Sequence, residues 1–287
     1  METFPDQVFL RKGSSSIWIA SGFDGGSELD WLVNPDILFS LPGCEIVKDQ
    51  QKIKVARAHV KLGGQIRQIY VKRYNAFSWR YRLFSVFGRS AAFRAWIGAE
   101  ILRRAGFKTG SPIAAVECRS WWMLTKSFYI SEAIPSAKTV DIYWTAEVAT
   151  LGGREGFARR RSFLNALADL FRHLHEEGIY HNDLKDVNIL VSDGDGRQEY
   201  SFFLLDLEGV RRYPRLKLRR RTKNLVQLNR TMRTKLRRSD RLYWLKAYLG
   251  KNYLDRELSE KWLKRILDES RRSDVRSVRK TGRDLTN

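Results

Sequence analysis

The stretch IYHNDLKDVNILV, Ile179 to Val191, packs a His, two Asp, a Lys and two Asn into eight consecutive positions between apolar flanks. A buried strand does not hold such a cluster unless every polar group has a partner or a task. The stretch therefore reads as a loop pinned between two buried elements. The segment before it agrees. FARRRSFLNALADLFRHLHEEG places Phe163, Leu167, Leu170 and Leu174 at 4-3-4 spacing, the core-facing stripe of a helix, and Gly178 ends it. On the other side of the loop, SDGDG (Ser192–Gly196) reads as a tight turn and EYSFFLLDLEGV as a strand with Asp206 at its end.

The residue types in the loop limit its chemistry. Carboxylate and amide oxygens are hard ligands that suit Mg²⁺ better than zinc. If the loop and the strand end meet at one point, Asn188 and Asp206 can share a metal that bridges phosphate oxygens. Asp183 then remains free to orient a hydroxyl and accept its proton. Lys185, two residues on, is placed to offset charge on a transferring phosphoryl group. His173 and His175 form a weak H-x-H metal signal and read instead as surface or core residues.

The rest of the chain supplies a frame. Residues 1–40 mix Gly, Ser and short apolar runs and are assigned no role. From Glu45, EIVKDQQKIKVARAHVKLGGQIRQIYVKRY holds three strand-like runs, with Leu62–Gly64 as a hairpin turn. SAAFRAWIGAEILRRAG reads as a helix capped by Ser90 and stopped at Gly106, with Phe93, Trp96 and Glu100 on one face. SPIAAVECRSWWMLTKSFYISEAI reads as two strands joined by a turn, and Trp121 and Trp122 as core rather than a substrate platform. From about Lys223 onward the pattern is amphipathic helix rich in Lys and Arg. The expected fold class is α+β: an extension over 1–40, a β-rich lobe over 41–135 and a helical lobe over 136–287.

Charge narrows the partners. The formal net charge is +21, and from Arg211 to Ser239 there are thirteen Lys or Arg and no acid. Such a balance calls for an anionic partner. No stretch approaches the ~18–20 apolar residues of a membrane span, and the N-terminus does not read as a signal peptide. Two cysteines, Cys44 and Cys118, are too few for a disulfide framework and suggest a reduced compartment.

HNDLKDVNIL resembles the protein-kinase catalytic loop, His-Arg-Asp-Leu-x-x-x-Asn, and LLDLEG resembles the strand that carries the magnesium-binding Asp of Asp-Phe-Gly. The resemblance covers roughly Glu45 to Val210 and implies a bilobal protein-kinase-like fold. It makes Asp183 the catalytic base and assigns Mg²⁺ to Asn188 and Asp206, with His181 a structural brace. YVKRY resembles the third small-lobe strand, which makes Lys72 the candidate for the ATP phosphates; its helix carboxylate partner is Glu100 or a position nearer Ala95. More narrowly, YVKRY, GFKTGSPIAAVE, YISEAI, IYHNDLKDVNILV, FFLLDLEGVRR and NLVQLNRTM, in that order, are similar to the lipopolysaccharide core kinases, the heptose and Kdo kinases of Gram-negative envelopes. That resemblance implies ATP-dependent phosphorylation of an inner-core sugar hydroxyl. The partners it implies are the lipopolysaccharide core or lipid A precursor and the anionic inner-membrane surface, approached peripherally from the cytoplasmic face.

The departures from the protein-kinase pattern also inform. Asn182 stands where many protein kinases have the Arg that reads a phosphorylated activation loop. Leu207 and Glu208 replace Phe-Gly, and no Ala-Pro-Glu is present beyond them. There is no Gly-x-Gly-x-x-Gly, so phosphate cover falls to another hairpin, with Lys48–Gln51 the candidate. Three rival readings compete. A nucleic-acid or ribosome-associated protein, or atypical protein kinase, suits the charge, but no helix-turn-helix, zinc finger or RNA-recognition signature is present and no nucleic acid is expected. A pseudokinase scaffold is disfavoured because the polar positions needed for phosphoryl transfer are present. An antibiotic- or choline-type kinase would carry an acidic substrate pocket. Only some sixteen residues separate Asp206 from the next expected helix, which leaves little room for a peptide-docking segment. Generic protein substrates are accordingly expected to stay unlabelled with radioactive Mg-ATP; robust peptide labelling would reverse the substrate class.

Overall fold

The structure, a computed structural model, describes residues 7–23, 27–62, 64–76, 78–79, 82, 85, 88–193 and 199–284. The chain divides into two compact units: Met1–Pro135 with Asp206–Val210, and Ser136–Leu205 with Arg211–Asn287.

The first unit is built on a seven-stranded antiparallel sheet. Its strands are β1 (Gln7–Lys12), β2 (Ser15–Ala20), β3 (Glu45–Asp49), β4 (Ile53–Leu62), β5 (Gln65–Asn75), β6 (Pro112–Ser120) and β7 (Met123–Glu132), in the order β1-β2-β6-β7-β5-β4-β3. The three strands expected from Glu45 onward are present, as is the expected β6–β7 pair. Side-chain alternation sorts the two faces. Ile17, Ile19, Ala58, Val60, Ile69, Val71, Val116, Phe128 and Ile130 face one apolar core, closed by Leu32 and Leu38 from short 3₁₀ turns. On the other face lies helix α1 (Ala91–Arg104), where Phe93 meets Trp18 at a ring separation of 4.4 Å. Ser90 caps α1 as expected, its hydroxyl accepting from the Phe93 amide at 3.0 Å.

Residues 1–40, opaque in sequence, add two strands to the sheet edge beyond β6. They also carry Asp36, which binds Arg73 at 2.9 Å and also Lys126. Burial pushes the Asp36 carboxyl up, but those two cations outweigh it and hold it below the usual carboxylate range. The expectation that Trp121 and Trp122 pack in a core is corrected. They form the two-residue turn between β6 and β7 and are 88% and 77% exposed. A two-residue turn points its central side chains away from both strands, so core packing was never open to them. Cys44 and Cys118 are free thiols, Cys118 buried beside Ser15.

The second unit is mostly helical: α2 (Gly153–Glu176), α3 (Leu218–Met232), α4 (Arg238–Leu249) and α5 (Arg256–Asp284). Helix α3 starts five residues before the expected Lys223, and Lys217 precedes it as N-cap. Phe163, Leu167 and Leu174 face the core as the spacing predicts; Phe171 joins them, while Leu170 is only partly buried. Phe171 packs edge-on against Trp244 of α4 at 5.3 Å. Short strands β8 (Lys138–Thr139), β9 (Ile179–Tyr180), β10 (Ile189–Ser192), β11 (Ser201–Leu204) and β12 (Arg211–Arg212) pair as β11-β10-β8 and β12-β9. The SDGDG turn falls largely outside the described residues. No helix among the described residues is long and apolar enough to cross a membrane.

His175 is a core residue, not a metal ligand. Its Nδ1 lies 2.9 Å from the Tyr248 hydroxyl and its Nε2 3.3 Å from the Asn224 amide oxygen, so the neutral ring donates through Nε2 and accepts at Nδ1. Burial outweighs the Asn224 hydrogen bond and pushes its pKa down to about 4. The folded state therefore binds fewer protons at this ring than the unfolded chain between about pH 6.5 and 4. The stability this gives is present above the unfolded value and is lost as pH falls through the folded one; its upper bound is about 3 kcal/mol. Urea midpoints should fall more steeply on acidification from pH 7 to 4.5 for the parent than for His175→Gln; equal slopes would remove His175 as the source.

Candidate active site

The loop from His181 to Asn188 is held by its own polar side chains. The His181 Nε2 donates to the Leu205 carbonyl at 2.8 Å, and its Nδ1 accepts from the Asp183 amide at 3.2 Å. This fixes one tautomer and makes His181 a brace. Asn188 donates from Nδ2 to the Asp183 carbonyl at 2.8 Å and to the Asp183 Oδ2 at 3.0 Å. Lys185 Nζ sits 2.8 Å from the same Oδ2. Three of the six singled-out residues, Asp183, Lys185 and Asn188, thus form one cluster within the second unit. The Asp183 side chain is partly exposed, so its carboxylate is open to a ligand.

Helix α3 supplies a second layer that the sequence reading did not single out. Asn224 donates to the His181 carbonyl at 2.5 Å. Gln227 donates to the Asn182 carbonyl at 2.6 Å and accepts from the Leu184 amide at 3.2 Å. Lys223 donates to the Asn182 side-chain oxygen at 2.9 Å. The His181 and Asn182 carbonyls and the Leu184 amide are thereby satisfied from outside the loop. The signal was available: Asn224 and Gln227 are polar residues on the apolar face of an amphipathic helix.

The other assigned residues lie in the first unit. Lys72 Nζ meets Asp206 Oδ1 at 2.5 Å. Lys72 is central in β5, opposite Val55 of β4 and Tyr129 of β7. The turn between β3 and β4 is tied to the end of the same strand, since Asn75 Nδ2 donates to the Gln51 carbonyl at 2.8 Å and its amide to the Lys52 carbonyl at 3.0 Å. Asp206 adopts a left-handed backbone (φ 59°), a conformation that Asp tolerates better than most residues. Both backbone groups of the preceding Leu205 are held in the second unit: its carbonyl by His181 and its amide by the Asn188 carbonyl at 2.9 Å.

Glu100, the sixth residue, is corrected. It is buried, but its carboxylate pairs with Arg103 at 2.8 Å and Arg104 at 3.9 Å, one turn along α1. The ion pair of Lys72 goes to Asp206 instead. A carboxylate four residues before an Arg on a helix finds that partner locally. The acid near Lys72 and Asp206 that the sequence reading passed over is Glu208. Burial pushes its carboxyl up, Lys72 pulls it down and Asp206 pushes it up, leaving it above the usual carboxylate range. Arg94 of α1 approaches it at 3.7 Å.

Asn188 in the second unit carries an amide oxygen and Asp206 in the first a carboxylate, each a hard donor of the type Mg²⁺ takes beside phosphate and water. Among the described residues no group of three or more His, Cys, Asp or Glu gathers as a stand-alone metal cage.

Position of the 206–210 segment depends on Gly98. A Cβ there would lie 2.2 Å from the Leu207 carbonyl oxygen, a backbone atom that cannot rotate away. Gly98→Ala is expected to lower chemical-denaturation stability by about 1–3 kcal/mol through overpacking; an unchanged midpoint would show that the segment docks elsewhere.

The model of the lipopolysaccharide kinase (Kdo/WaaP) family matches residues 45–248. Among solved structures, one described as WaaP in complex with acyl carrier protein is similar at 19% identity and a TM-score of 0.54, with 80% of this chain and 91% of that chain covered. At that identity the likeness establishes the fold, and the expected α+β, protein-kinase-like class with a sheet-rich N-lobe and a helical C-lobe is borne out. The search of curated proteins finds no match.

Proposed function

The chain belongs to the lipopolysaccharide kinase (Kdo/WaaP) family, and from that premise we propose that it transfers the γ-phosphoryl group of ATP to a heptose or Kdo hydroxyl of the lipopolysaccharide inner core. The observation that carries the reading is the Asp183 carboxylate, aimed by Asn188 at 3.0 Å and flanked by Lys185 at 2.8 Å while staying open to a ligand. In this reading residues 41–135 form the lobe that holds nucleotide and 136–287 the lobe that holds the acceptor.

Each side chain has a task. Asp183 accepts a hydrogen bond from the sugar hydroxyl, orients its oxygen toward the γ-phosphorus, and takes the proton as the new P–O bond forms and the bond to the ADP oxygen breaks. Lys185, already beside Asp183, offsets charge on the phosphoryl oxygens. Lys72 holds the α- and β-phosphates, and the β3–β4 turn tied to Asn75 is the candidate cover. Asn188 and Asp206 would hold Mg²⁺, which supplies neutralisation of phosphate charge. Glu208, half-buried near Lys72 and Asp206, positions both.

Charge supports an anionic acceptor in an anionic surface. Of the basic run, Arg212 pairs with Glu177, Arg230 and Arg233 with Asp274, and Lys235 with Asp141. Arg211, Arg215, Lys217 and Arg219 are exposed along the approach to α3. Carboxylates and phosphates of an acidic glycolipid suit such a row, and anionic bilayers attract it by about 1 kcal/mol per basic residue near the surface. We therefore place the protein peripherally on the cytoplasmic face of the inner membrane.

Asp183→Ala should lower turnover by roughly 10²–10⁴, as for a lost general base. The measurement is phosphate transferred to purified core glycolipid with Mg-ATP. Full activity in that variant would take Asp183 out of its role, and a core of unchanged mass in cells lacking the protein would overturn the acceptor class.

A further inference from the structure

The turn between β6 and β7 breaks the usual chemistry of such turns. Both central residues have positive φ, 49° at Trp121 and 68° at Trp122. Two-residue turns of this kind favour Asn-Gly or Gly-Gly, because a bulky side chain is strained in the left-handed region. Here the two residues are the largest in the alphabet, and they project into solvent at 88% and 77% exposure. The fold has no use for them as core.

Their neighbourhood is one end of the sheet. The β1–β2 turn lies there, since the Arg119 amide donates to the Ser14 carbonyl at 3.0 Å. The segment after β5 lies there too: the Ala76 amide donates to the Thr125 carbonyl at 2.9 Å, and the Leu124 amide to Ser85 Oγ at 2.9 Å. That segment carries Trp79, 70% exposed. Lys12, Arg82 and Arg89 at this end are exposed cations. Of the described acids here, Glu117 pairs with Arg119, Asp36 with Arg73 and Lys126, and Asp30 lies 4.0 Å from Lys12. Beside Trp121 lies an open depression of about 720 Å³ with a mixed lining, Ser14, Asn34, Arg119 and Lys126 beside Val33 and Cys118.

We propose that this end of the sheet is a membrane-contact surface, in which Trp121 and Trp122 enter the interfacial layer of an anionic bilayer while the basic and hydroxyl groups behind them meet phosphate headgroups. The order of chemistry carries the assignment: aromatic at the tip, polar and cationic one step back. Indole rings favour the level between headgroups and acyl chains, and a projecting knob suits a deformable bilayer. The surrounding cations complement anionic lipid. Apolar burial would retain the protein after salt has screened its charges. This inference rests on the reading that the acceptor sits in a lipid surface, and it names the part of the molecule that reaches it.

The test uses the full chain, with vesicles of phosphatidylcholine alone or mixed with phosphatidylglycerol. Trp121→Asn combined with Trp122→Gly installs a turn sequence suited to this backbone, so the variant should fold at least as stably as the parent. Its partition to mixed vesicles should fall by roughly tenfold or more, the loss expected for two apolar side chains. The fraction of parent that stays bound at high salt should disappear in the variant. Quenching of parent tryptophan fluorescence by bromine-labelled acyl chains should weaken with it. Equal partition by parent and variant overturns the inference and leaves the kinase reading intact. No partition by the parent overturns both this surface and the proposed membrane location. Self-association without lipid that the variant abolishes, or binding of an acidic protein through the turn in place of vesicles, assigns the surface to protein and overturns the lipid assignment.

Discussion

Leu205 is the residue on which the site depends. Its carbonyl accepts from the His181 ring and its amide donates to the Asn188 carbonyl, so both of its backbone polar groups belong to the loop that carries Asp183. The next residue is Asp206, bound to Lys72. A single peptide bond thus joins the two polar clusters. Asp206 itself takes a left-handed backbone. Gly98 meets the next residue, because only a residue without a Cβ lets α1 lie against Leu207.

The departures from the protein-kinase pattern have physical substitutes. Where many protein kinases carry an Arg before the catalytic Asp, this chain has Asn182. Asn182 accepts from Lys223 at its side chain and from Gln227 at its backbone. Contacts from helix α3 thus hold the loop at this position. In place of Phe-Gly stand Leu207, buried beneath α1, and Glu208, half-buried beside Arg94. A desolvated carboxylate between a Lys and an Arg is costly to move without its partners, and a segment so anchored is not built to flip.

A high positive charge is a property of the whole chain, yet it is not spread evenly in use. Many cations are spent internally, on Asp36, Glu100, Asp141, Glu177 and Asp274. Exposed cations remain along 211–219 in the helical unit and around the tryptophan turn in the sheet unit. Screening limits what isolated surface charges contribute to folding, so these rows have more to do with what the protein meets than with how it holds together.

Sequence alone determined the elements whose signal is local. Strand-like apolar runs bounded by turn signals marked β4 to β7, the Ser90 cap and the Gly106 stop marked α1, and the helical stripe at Phe163 and Leu167 marked α2. The polar cluster from His181 to Asn188 was legible because burial forbids such residues without partners. Tertiary structure decided what has no local signature. Residues 7–20 became strands only because β6 offers an edge to pair with, and no property of those residues announces that edge. Glu100 turned to Arg103 and Arg104 because a side-chain partner one helical turn away is nearer than one on another element. Asn224 and Gln227 acquired their task from a backbone forty residues earlier in the chain. Trp121 and Trp122 looked like core by composition, but the register of two strands put them at a turn, and a turn has no inside.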